Sequence, residues 1–257
     1  MNATTLTSPT PDTARRRWAF TTWSPRTAAL VAGVGLAAMA VLGGFANFAA
    51  ILILIVPGEA VQTAQNISGS PLLFWSGVLS FVAVALLDVL VAGALYTLLR
   101  PVNRRLSAAA GWARTVYAVL LLVAVSQLVI GFSLLDDPEA ALPVLESFTT
   151  IWVLSLGLFG VSLLLVGYLA FRSGFIARVF GILLALAGAG YLADAVGVAV
   201  VPDFTVVFAQ VLFVGEVAII FWLLIRGRRL PPPPFRGDRA RAILTAFPSP
   251  YRQREAP

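Results

Sequence analysis

The sequence predicts an all-α, polytopic membrane protein, a bundle of six transmembrane helices with both termini in the cytoplasm. Three observations carry this. The chain of 257 residues is 59% hydrophobic and 12% charged, with a mean hydropathy of +0.91, which leaves too little polar surface to clothe a soluble core. Apolar runs at 27–56, 72–99, 107–134, 148–171, 179–201 and 204–226 each reach the roughly 20 residues a helix needs to cross hydrocarbon. Finally, the charges alternate from loop to loop.

That alternation sets the orientation. Every basic residue is Arg: four precede the first run, four lie between Arg100 and Arg114, two are Arg172 and Arg178, and eight follow from Arg226 onward. The intervening loops carry only acids, namely Glu59, then Asp136, Asp137, Glu139 and Glu146, then Asp203. The positive-inside rule therefore places the Arg-bearing loops and both ends on the cytoplasmic side of a plasma membrane. The net charge of +6 is topological and is no nucleic-acid footprint. The exclusive use of Arg reads as the codon bias of a GC-rich bacterium.

Taken in order, 1–26 is a polar, Thr- and Pro-rich segment with Arg15, Arg16, Arg17 and Arg26, read as a disordered basic arm. Arg15-Arg16-Arg17 and Ala38-Met39-Ala40 faintly resemble a twin-arginine signal and its cleavage site, but the apolar run from Thr27 to Val56 is too long for a signal core. Gly43-Gly44 marks a place where this first helix can bend. Segment 58–71 reads as a short amphipathic surface helix. Turns fall at Pro57-Gly58, Ser70-Pro71, Arg100-Pro101, Asp137-Pro138, Ser173-Gly174 and Pro202-Asp203. The tail, 227–257, has four consecutive prolines followed by Arg-rich sequence, a stiff spacer leading to a disordered end that can rest on anionic lipid headgroups.

Ionisable groups inside the bilayer are costly unless paired or hydrated, so each is a candidate site residue. Asp88 and Glu216 lie about 15 Å from the inner ends of the second and sixth spans, near the midplane. Arg114 lies about 12 Å inside the third. The second and third spans form a hairpin, so Asp88 and Arg114 fall at similar depth, where an ion pair would offset most of their insertion cost. Asp194 sits in the outer half of the fifth span with Tyr191 on the same face. Asn47, Gln127 and Gln210 add polar groups in the outer halves. Alternatively Asp88 and Glu216 share a hydrated cavity and carry a proton or cation.

Other chemistry is thin. The chain has no Cys and no His, which excludes disulfides, thiolate chemistry and the commonest metal ligand and general base; no cofactor or metal is expected. P-loop, Rossmann, zinc-protease and nucleophile-elbow motifs are absent. Gly33, Gly35, Gly181, Ala185, Gly188 and Ala189 read as close helix-packing positions. A short internal echo, Tyr96-x-x-x-Arg100 and Tyr168-x-x-x-Arg172, ends the second and fourth spans with inner-interface anchors.

The stretches LDVLVAGALYTLLRPVNRRLSAAAGWAR from Leu87, LLLVGYLAFRSGFIARVFGILLALAGAGYLAD from Leu163 and GEVAIIFWLLIRG from Gly215 resemble the bacterial membrane family called domain of unknown function 4386. The resemblance implies six spans, a family Asp at Asp88, a Leu-Tyr and Arg-Pro-Val-Asn pattern at Leu95, Tyr96 and Arg100 to Asn103, an Arg at Arg114, and a turn at Gly167 to Gly174. Ala177 departs from it, standing where the family often has Pro. It implies no activity. The residues themselves point first to a non-catalytic membrane module with an internal Asp88–Arg114 ion pair. The alternatives are a small-solute or proton-coupled carrier using Asp88 and Glu216, and an intramembrane carboxylate-dependent hydrolase or lipid-modifying enzyme.

Overall fold

The structure is a computed structural model, and it describes residues 23–201, 204–208 and 214–227. All regular elements among these residues are helical: α1 (Pro25–Gly44), a π-helical stretch (Phe45–Ile51), α2 (Leu52–Leu54), α3 (Ala60–Gly69), α4 (Pro71–Leu99), α5 (Arg104–Ser133), α6 (Pro138–Arg172), α7 (Arg178–Val200) and α8 (Val214–Ile225). Among the described residues five helical segments are long and apolar enough to cross a membrane: Pro25–Leu54, Pro71–Leu99, Arg104–Ser133, Pro138–Arg172 and Arg178–Val200. The protein is a membrane protein, all-helical across its described residues. The N-terminal arm up to residue 22 and the tail from residue 228 lie outside the described residues.

The helix starts are written in the sequence. Ser24 accepts the Thr27 N–H with Pro25 as the first helical residue, and Asn103 accepts from Arg105 and Leu106. Asp137 accepts from Ala140, with Pro138 first and Glu139 in the first turn. Side-chain acceptors and acids at these positions satisfy N–H groups that a helix leaves unpaired. The turns at Gly58 (φ 76°) and Gly174 (φ 74°) need a residue without a Cβ.

Two expectations are corrected. The helix that carries the fourth apolar run begins ten residues before it, at Pro138, because Asp137 caps it there; Glu139, Pro143 and Glu146 interrupt the apolar pattern of its first turns without ending the helix. The sixth run, expected to be helical throughout 204–226, is non-helical at 204–207, and its described helix is Val214–Ile225. The Asp194 carboxylate, reaching from α7, accepts the N–H groups of Val207 and Phe208 at 3.2 Å each. A carboxylate that satisfies backbone donors lets the chain leave helical form inside an apolar bundle. Asp194→Ala is expected to cost about 1 kcal/mol, with Asp194→Asn close to wild type because its amide oxygen still accepts; denaturant unfolding in detergent measures both.

The six long or apolar helices close a ring in chain order, α1–α4–α5–α6–α7–α8, with α8 packed back on α1. Large apolar side chains such as Leu79, Leu86, Val119, Ile182, Val196 and Phe221 are exposed on the outside, where lipid would cover them. At the α6–α7 seam Gly160 faces Gly188 and Gly167 faces Gly181: a Cβ on Gly188 would sit 2.6 Å from the Gly160 carbonyl oxygen, and one on Gly181 2.7 Å from that of Gly167. Small residues thus bring two helix backbones into contact. The winding of the first span changes to π immediately after Gly43-Gly44, and this stretch seats on α4, where a Cβ on Gly77 would meet that of Ala50 at 2.8 Å. The expected surface helix at 58–71 is α3. It buries Ala60, Thr63, Ala64 and Ile67, and Gly58 N–H donates to Glu146 of α6 at 3.0 Å.

Candidate functional site

The polar residues of the spans converge inside the ring. Asp88 on α4 and Arg114 on α5 are 0% and 1% exposed, and Arg114 Nε lies 2.5 Å from Asp88 Oδ1. The contact is ionic without in-line hydrogen-bond geometry, and the guanidinium Nη atoms and the second carboxylate oxygen find no hydrogen-bond partner among the described residues. The other face of the guanidinium is covered by aromatic carbon: Arg114 Cζ stands 4.7 Å from the centre of the Phe159 ring on α6, a cation–π contact strengthened by burial.

Phe159 links this pair to a second one. Its ring packs against Tyr117 of α5 at 4.9 Å and edge-on to Tyr191 of α7 at 5.4 Å. The Tyr191 hydroxyl donates to Glu216 Oε1 of α8 at 2.7 Å. Trp152 of α6 donates its indole N–H to the Tyr117 hydroxyl at 3.4 Å. Helices α4 to α8 therefore each contribute to one continuous assembly of two charged groups, a hydrogen-bonded carboxyl and aromatic rings. Removing the Tyr191 hydroxyl as Tyr191→Phe is expected to cost about 1–3 kcal/mol by stranding Glu216, read as a lower unfolding midpoint.

Asp88 and Arg114 meet directly, and Tyr191 meets Glu216. Asp194 serves the chain at Val207 and Phe208 instead, and Gln210 lies outside the described residues. Tyr96 lines a cavity of about 10 Å³ between α4, α5 and α6, together with Ser107, Arg114 and Ser162, space for about one water. Ser107 and Ser162 give their hydroxyls to the carbonyls of Tyr96 and Ala110 at 3.2 and 2.9 Å. Tyr117, Trp152 and Phe159 were not singled out from sequence. Tyr117 had a readable signal, standing three residues after Arg114 on the same helical face. Phe159, between Gly157 and Gly160, had none beyond its size.

Among the described residues no group of three or more acids clusters closely enough to hold a metal ion. The family model described as domain of unknown function (DUF4386) matches residues 31–227. The chain belongs to the DUF4386 family. That match spans all of the site, from Asp88 to Glu216. An uncharacterised protein of the archaeon Archaeoglobus fulgidus is 34% identical over 147 residues, which cover 57% of this chain and 81% of the relative. No solved structure matches the chain.

Proposed function

We propose that this DUF4386 protein is a non-catalytic membrane module whose Asp88–Arg114 ion pair, covered by Phe159, holds the helices of the bundle in one arrangement. In this reading it spans the plasma membrane six times, with α8 as the inner part of the sixth span. Both termini lie in the cytoplasm, and the Arg-rich arm and tail rest on anionic headgroups. The observation that carries the reading is the 2.5 Å contact between two side chains that are each at most 1% exposed. A pair so enclosed contributes registry between helices, since misplacing either partner would leave a bare charge in an apolar core. The loop charges favour the orientation: Glu59, Asp136, Asp137, Glu139 and Glu146 lie at one end of the ring, and Arg100, Arg104, Arg105, Arg172 and Arg178 at the other.

A second reading is favoured by one observation. The Glu216 carboxyl of α8 is held by the Tyr191 hydroxyl at 2.7 Å within the bundle, and carboxyls inside the spans of carriers commonly relay protons. Proteoliposomes containing the purified protein and a trapped pH-sensitive dye separate the two. The module reading expects an imposed pH gradient to decay no faster than in empty vesicles. A decay accelerated by the wild type and abolished by Glu216→Gln would replace it with the carrier.

A further inference from the structure

The Arg-rich end of the ring holds a groove that plays no part in the buried assembly. The α4–α5 turn (Pro101, Val102, Asn103) forms one wall, and the end of α6 with the α6–α7 turn (Tyr168, Arg172, Ser173, Phe175) forms the other, around a space of about 390 Å³. That is the size of a small-ligand pocket. Among the described residues no acid lies at this end of the bundle, and Arg172 is paired with no carboxylate. Its guanidinium offers a planar fork of donors suited to phosphate oxygens.

Two further donors line the space. The Asn103 carboxamide oxygen is already committed to the N–H groups of Arg105 and Leu106, so what the side chain has left to offer is its NH2 group. Tyr168 is 49% exposed and lines the space, where its hydroxyl can donate. Ser173 is occupied in building the wall: it donates to the Ala170 carbonyl at 2.7 Å and accepts from Ile176 N–H at 3.0 Å. Pro101, Val102 and Phe175 supply apolar surface beside the donors. Three hydrogen-bond donors, a positive charge without an acid and an apolar flank are the recognition elements of a phosphate ester.

We propose that this groove is a phosphate-binding site, with Arg172, Tyr168 and the Asn103 amide as its donors. It is independent of the reading given to Asp88 and Arg114. The phosphate belongs to a lipid headgroup or to a free anion, and one experiment tells them apart. Purified full-length protein in phosphatidylcholine nanodiscs is titrated with phosphatidylglycerol or with inorganic phosphate while its thermal unfolding midpoint is followed. A rise with phosphatidylglycerol alone assigns the site to a headgroup, and a rise with inorganic phosphate as well assigns it to the free anion. In either case Arg172→Gln should weaken the response about tenfold, Tyr168→Phe should weaken it less, and Arg105→Gln, outside the groove, should leave it intact. Should Arg172→Gln fail to fold, Tyr168→Phe, which loses one oxygen, carries the comparison. Absence of any rise, or a rise that neither groove variant weakens, or one that Arg105→Gln removes equally, overturns the proposal.

Discussion

Replacing Asp88 or Arg114 singly by Ala is expected to lower unfolding stability in detergent by about 3–5 kcal/mol, because each leaves the other charge buried without a partner. The double substitution Asp88→Leu with Arg114→Met should recover most of the loss. It removes both charges and refills the volume with apolar side chains, and exchanges of this kind are often neutral or stabilising. The two partners are 0% and 1% exposed, so water cannot relieve a widowed charge without opening the packing. Phe159 does not substitute for the missing acid after Asp88→Ala: a cation–π contact is worth about 2 kcal/mol when desolvated, less than the penalty for a bare guanidinium. Denaturant unfolding of the four proteins closes a double-mutant cycle. A strong negative coupling, with the double variant more stable than either single one, is the expected result.

The second large effect is steric. Gly188→Leu is expected to destabilise by about 3 kcal/mol, the upper end of overpacking costs. At 2.6 Å from the Gly160 carbonyl oxygen and 2.9 Å from the Leu164 amide nitrogen, even the first added carbon meets backbone, which cannot rotate away as a side chain would. The α6 and α7 helices must separate, and the separation propagates to Gly167 and Gly181 on the same seam. Gly44→Ala is the control. Nothing lies within 4 Å of its added Cβ, so it should leave the unfolding midpoint nearly unchanged. Equal losses from the two substitutions would mean that the seam is not closed by its glycines.

Particular residues show how much was legible beforehand. The Asp88–Arg114 contact could be read because the two sit at matched depth on a hairpin, and a short turn fixes which helix faces are close. The five long helices could be read from hydropathy, which reports the same desolvation that drives insertion. Glu216 could not be assigned its partner. Tyr191 and Asp194 share a face of α7 by spacing, yet the structure sends the Tyr191 hydroxyl to Glu216 and the Asp194 carboxylate to backbone N–H groups of Val207 and Phe208. Periodicity along one helix carries no information on which later segment packs against it. The loss of helix at 204–207 was hidden for a related reason: an apolar run with a capping group supplied from another helix looks the same as a continuous span.

The central claim, that Asp88 and Arg114 form an enclosed pair, is tested most directly through a property of the composition. The chain contains no cysteine, so single cysteines placed at 84, 87, 91, 92 and 95, which leave Asp88 and Arg114 in place, report on a silent background. Each variant, in membranes, is treated with a membrane-impermeant thiol reagent from either side. The account predicts no labelling at these positions and full labelling of a cysteine placed in the exposed Asp137 turn. A labelled stripe reaching 84, 91 and 92, one turn either side of Asp88, would contradict it, exposing a water path through the bundle.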